Sequence, residues 1–283
     1  MSLLPVWLLL AILTGFASNA FNFATRYILK NNEDSTVFAW YFELIRFIVF
    51  IAIAIFDWHL IINLKSIILF SLLGLTEFIS TYWYMKMHSY TQLSVSTILS
   101  RTRMIWIPIL SFFLISESLK SFDYIGIAVT FLGVSLISAP KKLFIDKGAF
   151  YANASAFIIA INVIITVMLF SYGSNSLILA ACSFPSIILF PLLMKNTKKR
   201  MGTFFKKRVF IKTFTMLINI CASLLFLFAL RFGEASKVNA VYQGMLIISV
   251  ITGIIFLKER QDITRKLIGA SITVVGVVLL SFS

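Results

Sequence analysis

Residues 117–138 read Glu117-Ser-Leu-Lys-Ser-Phe-Asp-Tyr-Ile-Gly126-Ile-Ala-Val-Thr130-Phe-Leu-Gly133-Val-Ser-Leu-Ile-Ser138, and they are echoed by Glu259 and then Gly269-Ala-Ser-Ile-Thr273-Val-Val-Gly276-Val-Val-Leu-Leu-Ser281. Gly, Thr, Gly, Val, Leu and Ser recur at identical spacing, apart from one extra residue between Glu259 and Gly269. Self-similarity over this length means that one structural unit is used twice. Within each copy the glycines stand seven residues apart, on nearly one face of a helix, where small residues let a neighbouring backbone come close. Gly126 and Gly133 are therefore expected to pack one helix, and Gly269 with Gly276 another.

The composition around this repeat is that of a membrane protein. The chain is 60% hydrophobic and 13% charged, with mean hydropathy +0.96, whereas a soluble domain carries about a quarter charged residues. The apolar residues fall in blocks of roughly 20, the length a helix needs to cross a hydrocarbon core of about 30 Å. A β-barrel would need alternating segments of about 10 residues, and runs such as Ile67 to Leu75 or Val274 to Leu280 do not alternate. The expected fold is all-α integral membrane, with ten transmembrane helices near 5–29, 36–56, 66–88, 93–115, 122–139, 149–170, 176–194, 210–230, 238–256 and 267–283. Met1 to Trp7 carries no positive charge, so the first block reads as an uncleaved span. The two copies are offset by five spans, an odd number, so residues 1–140 and 141–283 are expected to form two inverted five-helix repeats. Inverted repeats are a hallmark of secondary transporters.

A net charge of +14 would suggest nucleic acid for a soluble chain, but here the basic residues cluster at the ends of spans. Of the 25 Lys and Arg, 18 sit at the odd-numbered connections and 4 at the even ones. By the positive-inside rule the odd connections are cytoplasmic and both termini lie outside, in a multi-pass protein of the cell membrane. The strongest anchor, Lys195 to Arg208, also suits anionic membrane lipid. Cys182 and Cys221 lie in apolar blocks and imply no disulfide or metal framework. No cofactor is called for. Membrane enzymes need paired carboxylates, His clusters or metal ligands near the interface, and His59 and His88 are isolated, so an enzyme is not expected. No oligomeric state follows from these features.

Five charged residues fall in mid-span, away from the span ends, where each costs roughly 2.5–3.5 kcal/mol on insertion scales and so faces a cavity or a partner. They are Glu43, Arg46, Glu77, Arg101 and Arg103. Glu43 and Arg46, three residues apart, can pair on one helix. Arg101 and Arg103 are about 200° apart on an ideal helix, so one is expected to neutralise Glu77 and the other to face a cavity. The five sum to +1, and a guanidinium suits a carboxylate or phosphate, which points to an anionic substrate such as an amino acid or organic acid. Should Glu77 stay unpaired, burial would let it carry a coupling proton. Softer candidates are Asn19 and Asn22 in the first span, Asn162 in the sixth, Asn219 in the eighth, and Asn239, Tyr242 and Gln243 in the ninth. Aligning Glu117 with Glu259 sets Gln243 opposite Arg101 and Tyr242 opposite Ser100.

The repeat resembles that of the drug/metabolite transporter superfamily, specifically the EamA-type proteins of ten helices. Their mark is an apolar helix ending in Glu, a short link, then Gly-x6-Gly-Val-x-Leu. Phe112-Phe-Leu-Ile-Ser-Glu117 and Ile254-Ile-Phe-Leu-Lys-Glu259 both fit it, and Arg46 matches an arginine often found in the second span. Ala229-Leu-Arg231-Phe-Gly-Glu-Ala235 looks like the family's turn after the eighth span, and Met85 to Tyr90 is a weaker match for its counterpart. The resemblance implies a central cavity between the halves, alternating access, and transport of a small polar metabolite without ATP. It also implies cytoplasmic termini, whereas the 18-to-4 charge distribution predicts termini outside.

Overall fold

The computed structural model describes residues 5–30, 34–90, 99–138, 147–206, 208–248 and 262–282. The first unit supplies α1 (Val6–Lys30), α2 (Ser35–Ala54), α3 (Leu64–Tyr90), α4 (Arg103–Ile115) and α5 (Ser121–Ser138). The second supplies α6 (Lys147–Leu169), α7 (Asn175–Leu193), a short α8 (Thr197–Phe205), α9 (Val209–Phe232), α10 (Ala235–Gly244) and α11 (Ile263–Ser281). Eight of these, all but α4, α8 and α10, are long and apolar enough to cross a membrane. The expected fourth and ninth spans, 93–115 and 238–256, fall partly outside the described residues, as does Glu259. Side chains such as Phe113, Leu132, Leu192 and Phe210 are turned outward, as a hydrocarbon solvent permits.

The helices pair by the symmetry expected of an inverted repeat. α5 lies along α11 and α2 along α7, and each couples corresponding helices of the two units; α3 packs on α6 while its counterpart α9 packs on α1. The seam between α5 and α11 shows why glycine is needed. A Cβ at Gly133 would stand 2.4 Å from Thr273 Oγ1 and 2.7 Å from Gly269 O; one at Gly276 would stand 2.3 Å from Thr130 Oγ1 and 2.9 Å from Gly126 O. Gly126 thus meets Gly276 and Gly133 meets Gly269, so the two helices run antiparallel. Thr130 and Thr273 each turn their hydroxyl back onto their own helix, on Gly126 O at 2.8 Å and Gly269 O at 2.7 Å, which buries both without an unpaired polar group.

α8 is the one described helix outside the ten-span plan. It is short and basic, and docks Phe204 edge-on to Phe38 and Tyr41, while Phe205 meets Trp40 and Tyr41. Lys212, near the start of the eighth span, is buried: its Nζ donates to Phe204 O at 2.7 Å and lies 3.7 Å from the Phe204 ring centroid.

Candidate substrate cavity

Between the units lies a cavity of about 250 Å³. α3 contributes Glu77, Ser80, Thr81 and Tyr84, spaced i, i+3, i+4, i+7 and so on one helix face; α1 contributes Ser18, Phe21 and Asn22, and α9 contributes Asn219 and Ser223. Phe42 and Arg46 of α2, Ile159 of α6, Ser100, Arg101 and Arg103 around the start of α4, and Tyr242 of α10 complete the lining. A surface depression of about 300 Å³ beside α8, lined by Asp34, Lys195, Asn196, Lys199, Arg200, Thr203 and Phe204, shares no residue with it.

Two expectations about the charges are corrected. Glu77 does not pair with an arginine of the fourth span. Its Oε1 accepts from Arg46 Nη1 at 2.7 Å and its Oε2 from Asn162 Nδ2 at 2.8 Å, because the α2–α3 hairpin brings Arg46 to it directly. Nor are Arg101 and Arg103 on opposed faces. Residues 99–101 are helical, Thr102 is a turn, and α4 starts anew at Arg103, so the angular argument for a continuous helix does not apply and both side chains line the cavity. α10 likewise ends at Gly244, with a turn at Met245. Discontinuous helices facing a midplane site are the means by which transporters line it with polar groups.

Arg101 is 9% exposed. Arg103 Nη2 donates to Tyr242 Oη at 3.2 Å, with the guanidinium 5.0 Å from the ring centroid; Tyr242 thus meets Arg103, where the alignment set it opposite Ser100. Among the described residues neither arginine has a carboxylate within salt-bridge distance, and each keeps a buried Nε without a hydrogen-bond partner. Glu43 stands behind the wall, fully buried, at 3.1 Å from Arg46 Nη1. Asn22 accepts from Tyr84 Oη at 3.1 Å. Asn19 is used for packing, its Nδ2 donating to Gly15 O and, across the units, to Met245 O at 2.9 Å. Asn239 and Gln243 are buried outside the lining, and Gln243 has neither amide atom partnered among the described residues.

Sequence reasoning missed Tyr84, Ser18, Ser80 and Ser223, although the polar stripe from Glu77 to Tyr84 is legible in the spacing. It also missed a polar lock joining the units beyond the cavity. Lys237, 5% exposed, lies 3.2 Å from Asp123 and 3.4 Å from Glu234. Beside it Glu117 Oε1 accepts the Ser236 N–H at 3.1 Å, and the hydroxyls of Ser111 and Ser236 are 3.1 Å apart. Burial pushes the Glu117 carboxyl above its ordinary range, against the pull of those hydrogen bonds. The repeat marks Glu117, but Lys237, Asp123 and Glu234 sit at span ends, where charge is ordinarily solvated, so nothing in the sequence marks them as a lock.

The sequence profile of the EamA-like transporter family matches this chain twice, over residues 5–139 and 146–282. A crystal structure described only as that of a protein superposes with TM-score 0.67 at 13% identity, covering 95% of this chain and 97% of the other, which supports the fold. No curated protein matches the sequence.

Proposed function

The chain belongs to the EamA-like transporter family, a family of membrane transporters of small molecules, and from that premise we propose that it carries a small polar metabolite with an anionic group, an amino acid or organic acid, by alternating access. The observation that carries this reading is the pair Arg101 and Arg103 in one cavity with no carboxylate set against either among the described residues. A buried cation without a counter-ion is expensive. A bound carboxylate or phosphate removes that cost, and guanidinium donors left without partners are what such a ligand satisfies. Hydroxyls and amides from α1, α3 and α9 supply the remaining hydrogen bonds. The polar lock of Asp123, Lys237 and Glu234, together with the apolar cluster of Leu8, Ile107, Val238 and Val241, fits one side of a two-sided gate whose other side is its inverted counterpart. With 18 basic residues on the odd connections, we place both termini outside the cell membrane.

Thermal unfolding of the purified protein with a panel of anionic, neutral and cationic metabolites tests this reading. A ligand at 100 times its Kd stabilises by about 2.7 kcal/mol, and only anions should do so. Saturable counterflow of that anion in proteoliposomes identifies a carrier; unsaturable flux identifies a pore. Stabilisation by cations alone would sink the proposal.

A further inference from the structure

The charges around the cavity divide into two sets, and the second set has a use of its own. Arg46 Nη1 alone serves both carboxylates, at 2.7 Å from Glu77 Oε1 and 3.1 Å from Glu43 Oε2. Its Nη2 is directed at Cys182 Sγ, 3.4 Å away, and its buried Nε has no hydrogen-bond partner. Neither carboxylate is therefore held by the two-nitrogen fork that makes such pairs strong. Glu77 gains Asn162 as a second donor and reaches the cavity; Glu43, fully buried, gains only the hydroxyls of Thr81, at 3.1 Å, and Ser183. We propose that Glu43 and Glu77 hold one proton between them at neutral pH, forming a proton-binding site beside the anion site.

Two carboxylates against one guanidinium leave the set at −1 in a place removed from water. Like charges sharing such a place ionise one at a time. The stronger donors favour ionised Glu77, so the proton rests on Glu43, whose O–H the Thr81 and Ser183 hydroxyls can accept. Other titratable groups facing the pair are Cys182 of α7 and, across the cavity, Tyr84 of α3, Tyr242 of α10, Arg101 and Arg103; α9 presents neutral Asn219 and Ser223. The two arginines oppose protonation by their positive charge. An anion bound between them cancels that charge and makes the proton easier to hold, and by linkage the proton strengthens the anion's binding equally. The pair thus couples as a symport of anion with proton, a use that rests on the anion-carrier reading, although the proton site itself does not.

Infrared spectroscopy of the substrate-free protein in an ester-free detergent at neutral pH tests the site. Wild type should show the C=O stretch of a protonated, buried carboxyl. That band should be lost in Glu43→Gln and equally in Glu77→Gln, since whichever carboxylate remains then has Arg46 to itself and ionises. Should Glu43→Gln fail to fold, Glu77→Gln alone decides. Absence of the band in wild type, or its survival in either variant, overturns the shared proton. Because no substrate is present, that result would leave the anion-binding phenotypes of Arg101 and Arg103 untouched, and their failure would leave the band untouched.

Discussion

At the α5–α11 seam the two units repeat each other's distances, with 2.4 Å at Gly133 answered by 2.3 Å at Gly276 and each made to the other unit's threonine. Around the cavity no charge is answered in kind: Glu43, Arg46, Glu77, Arg101 and Arg103 all come from the first unit, while the second offers Asn162, Asn219, Ser223 and Tyr242. Two copies of one unit that meet across a pseudo-two-fold axis must be complementary to each other, so each side constrains what the other can be. A surface that meets a ligand has no such constraint. Symmetry is kept where the halves hold each other and given up where they read a third party.

The largest test of that contrast is at the seam. Gly133→Leu and Gly276→Leu should each abolish recovery of monodisperse protein, because a bulky side chain forces apart backbones already in contact. The milder Gly133→Ala and Gly276→Ala should cost about 1–3 kcal/mol apiece, the usual range for overpacking, and should match each other in thermal unfolding. Clearly unequal costs would show that the seam is symmetric in geometry but not in energy. Gly202→Ala is the control: a Cβ there meets nothing within 4 Å, and no loss is expected.

At the cavity the asymmetric set should split by role. Arg46→Ala leaves Glu43 and Glu77 without their shared cation and should cost about 3–5 kcal/mol, as for a broken buried pair. Arg101→Ala and Arg103→Ala strand no described carboxylate, so each should unfold near the wild-type temperature yet lose anion counterflow. A large loss of stability in Arg103→Ala with a small one in Arg46→Ala would reverse the pairing described here.

These two regions were also unequally legible. Gly126, Gly133, Gly269 and Gly276 were readable as packing residues because a seven-residue spacing defines a helix face whatever the neighbours are. The charges were readable only as a list. Which arginine meets Glu77 depends on how α2 and α3 lean together and on the interruption at Thr102, both tertiary features that an ideal-helix projection erases. Lys212 and Lys237 lie near span ends in the sequence, and hydropathy cannot distinguish a charge at a solvated span end from one folded under an aromatic ring or into a lock.

The smaller effects compare the starts of α2 and α7, corresponding helices capped by different chemistry. Ser174 accepts the Leu177 N–H at 3.3 Å, whereas Asp34 accepts from Thr36 and Val37 at 3.1 and 3.2 Å and also pairs with Arg200 of α8. Ser174→Ala should cost about 0.5–2 kcal/mol, the ordinary worth of a cap, with no dependence on pH.

Asp34 adds a charge to the same job. Burial pushes its carboxyl up, but the Arg200 hydrogen bond, the Val37 and Thr36 amides and the Arg200 charge together outweigh it and hold the group below its ordinary range. A carboxylate whose folded pKa is lowered contributes stability that is present above its unfolded value and lost as pH falls through the folded one. Asn preserves the cap while removing the charge, so Asp34→Asn should lose only the ion pair, about 0.2–1 kcal/mol for a partly exposed pair at neutral pH. On the acid side the wild-type advantage should shrink until the two proteins unfold together below the folded pKa of Asp34. An advantage that persists at acid pH would mean that Asp34 acts as a neutral cap like Ser174, and that the two helix starts differ in residue but not in mechanism.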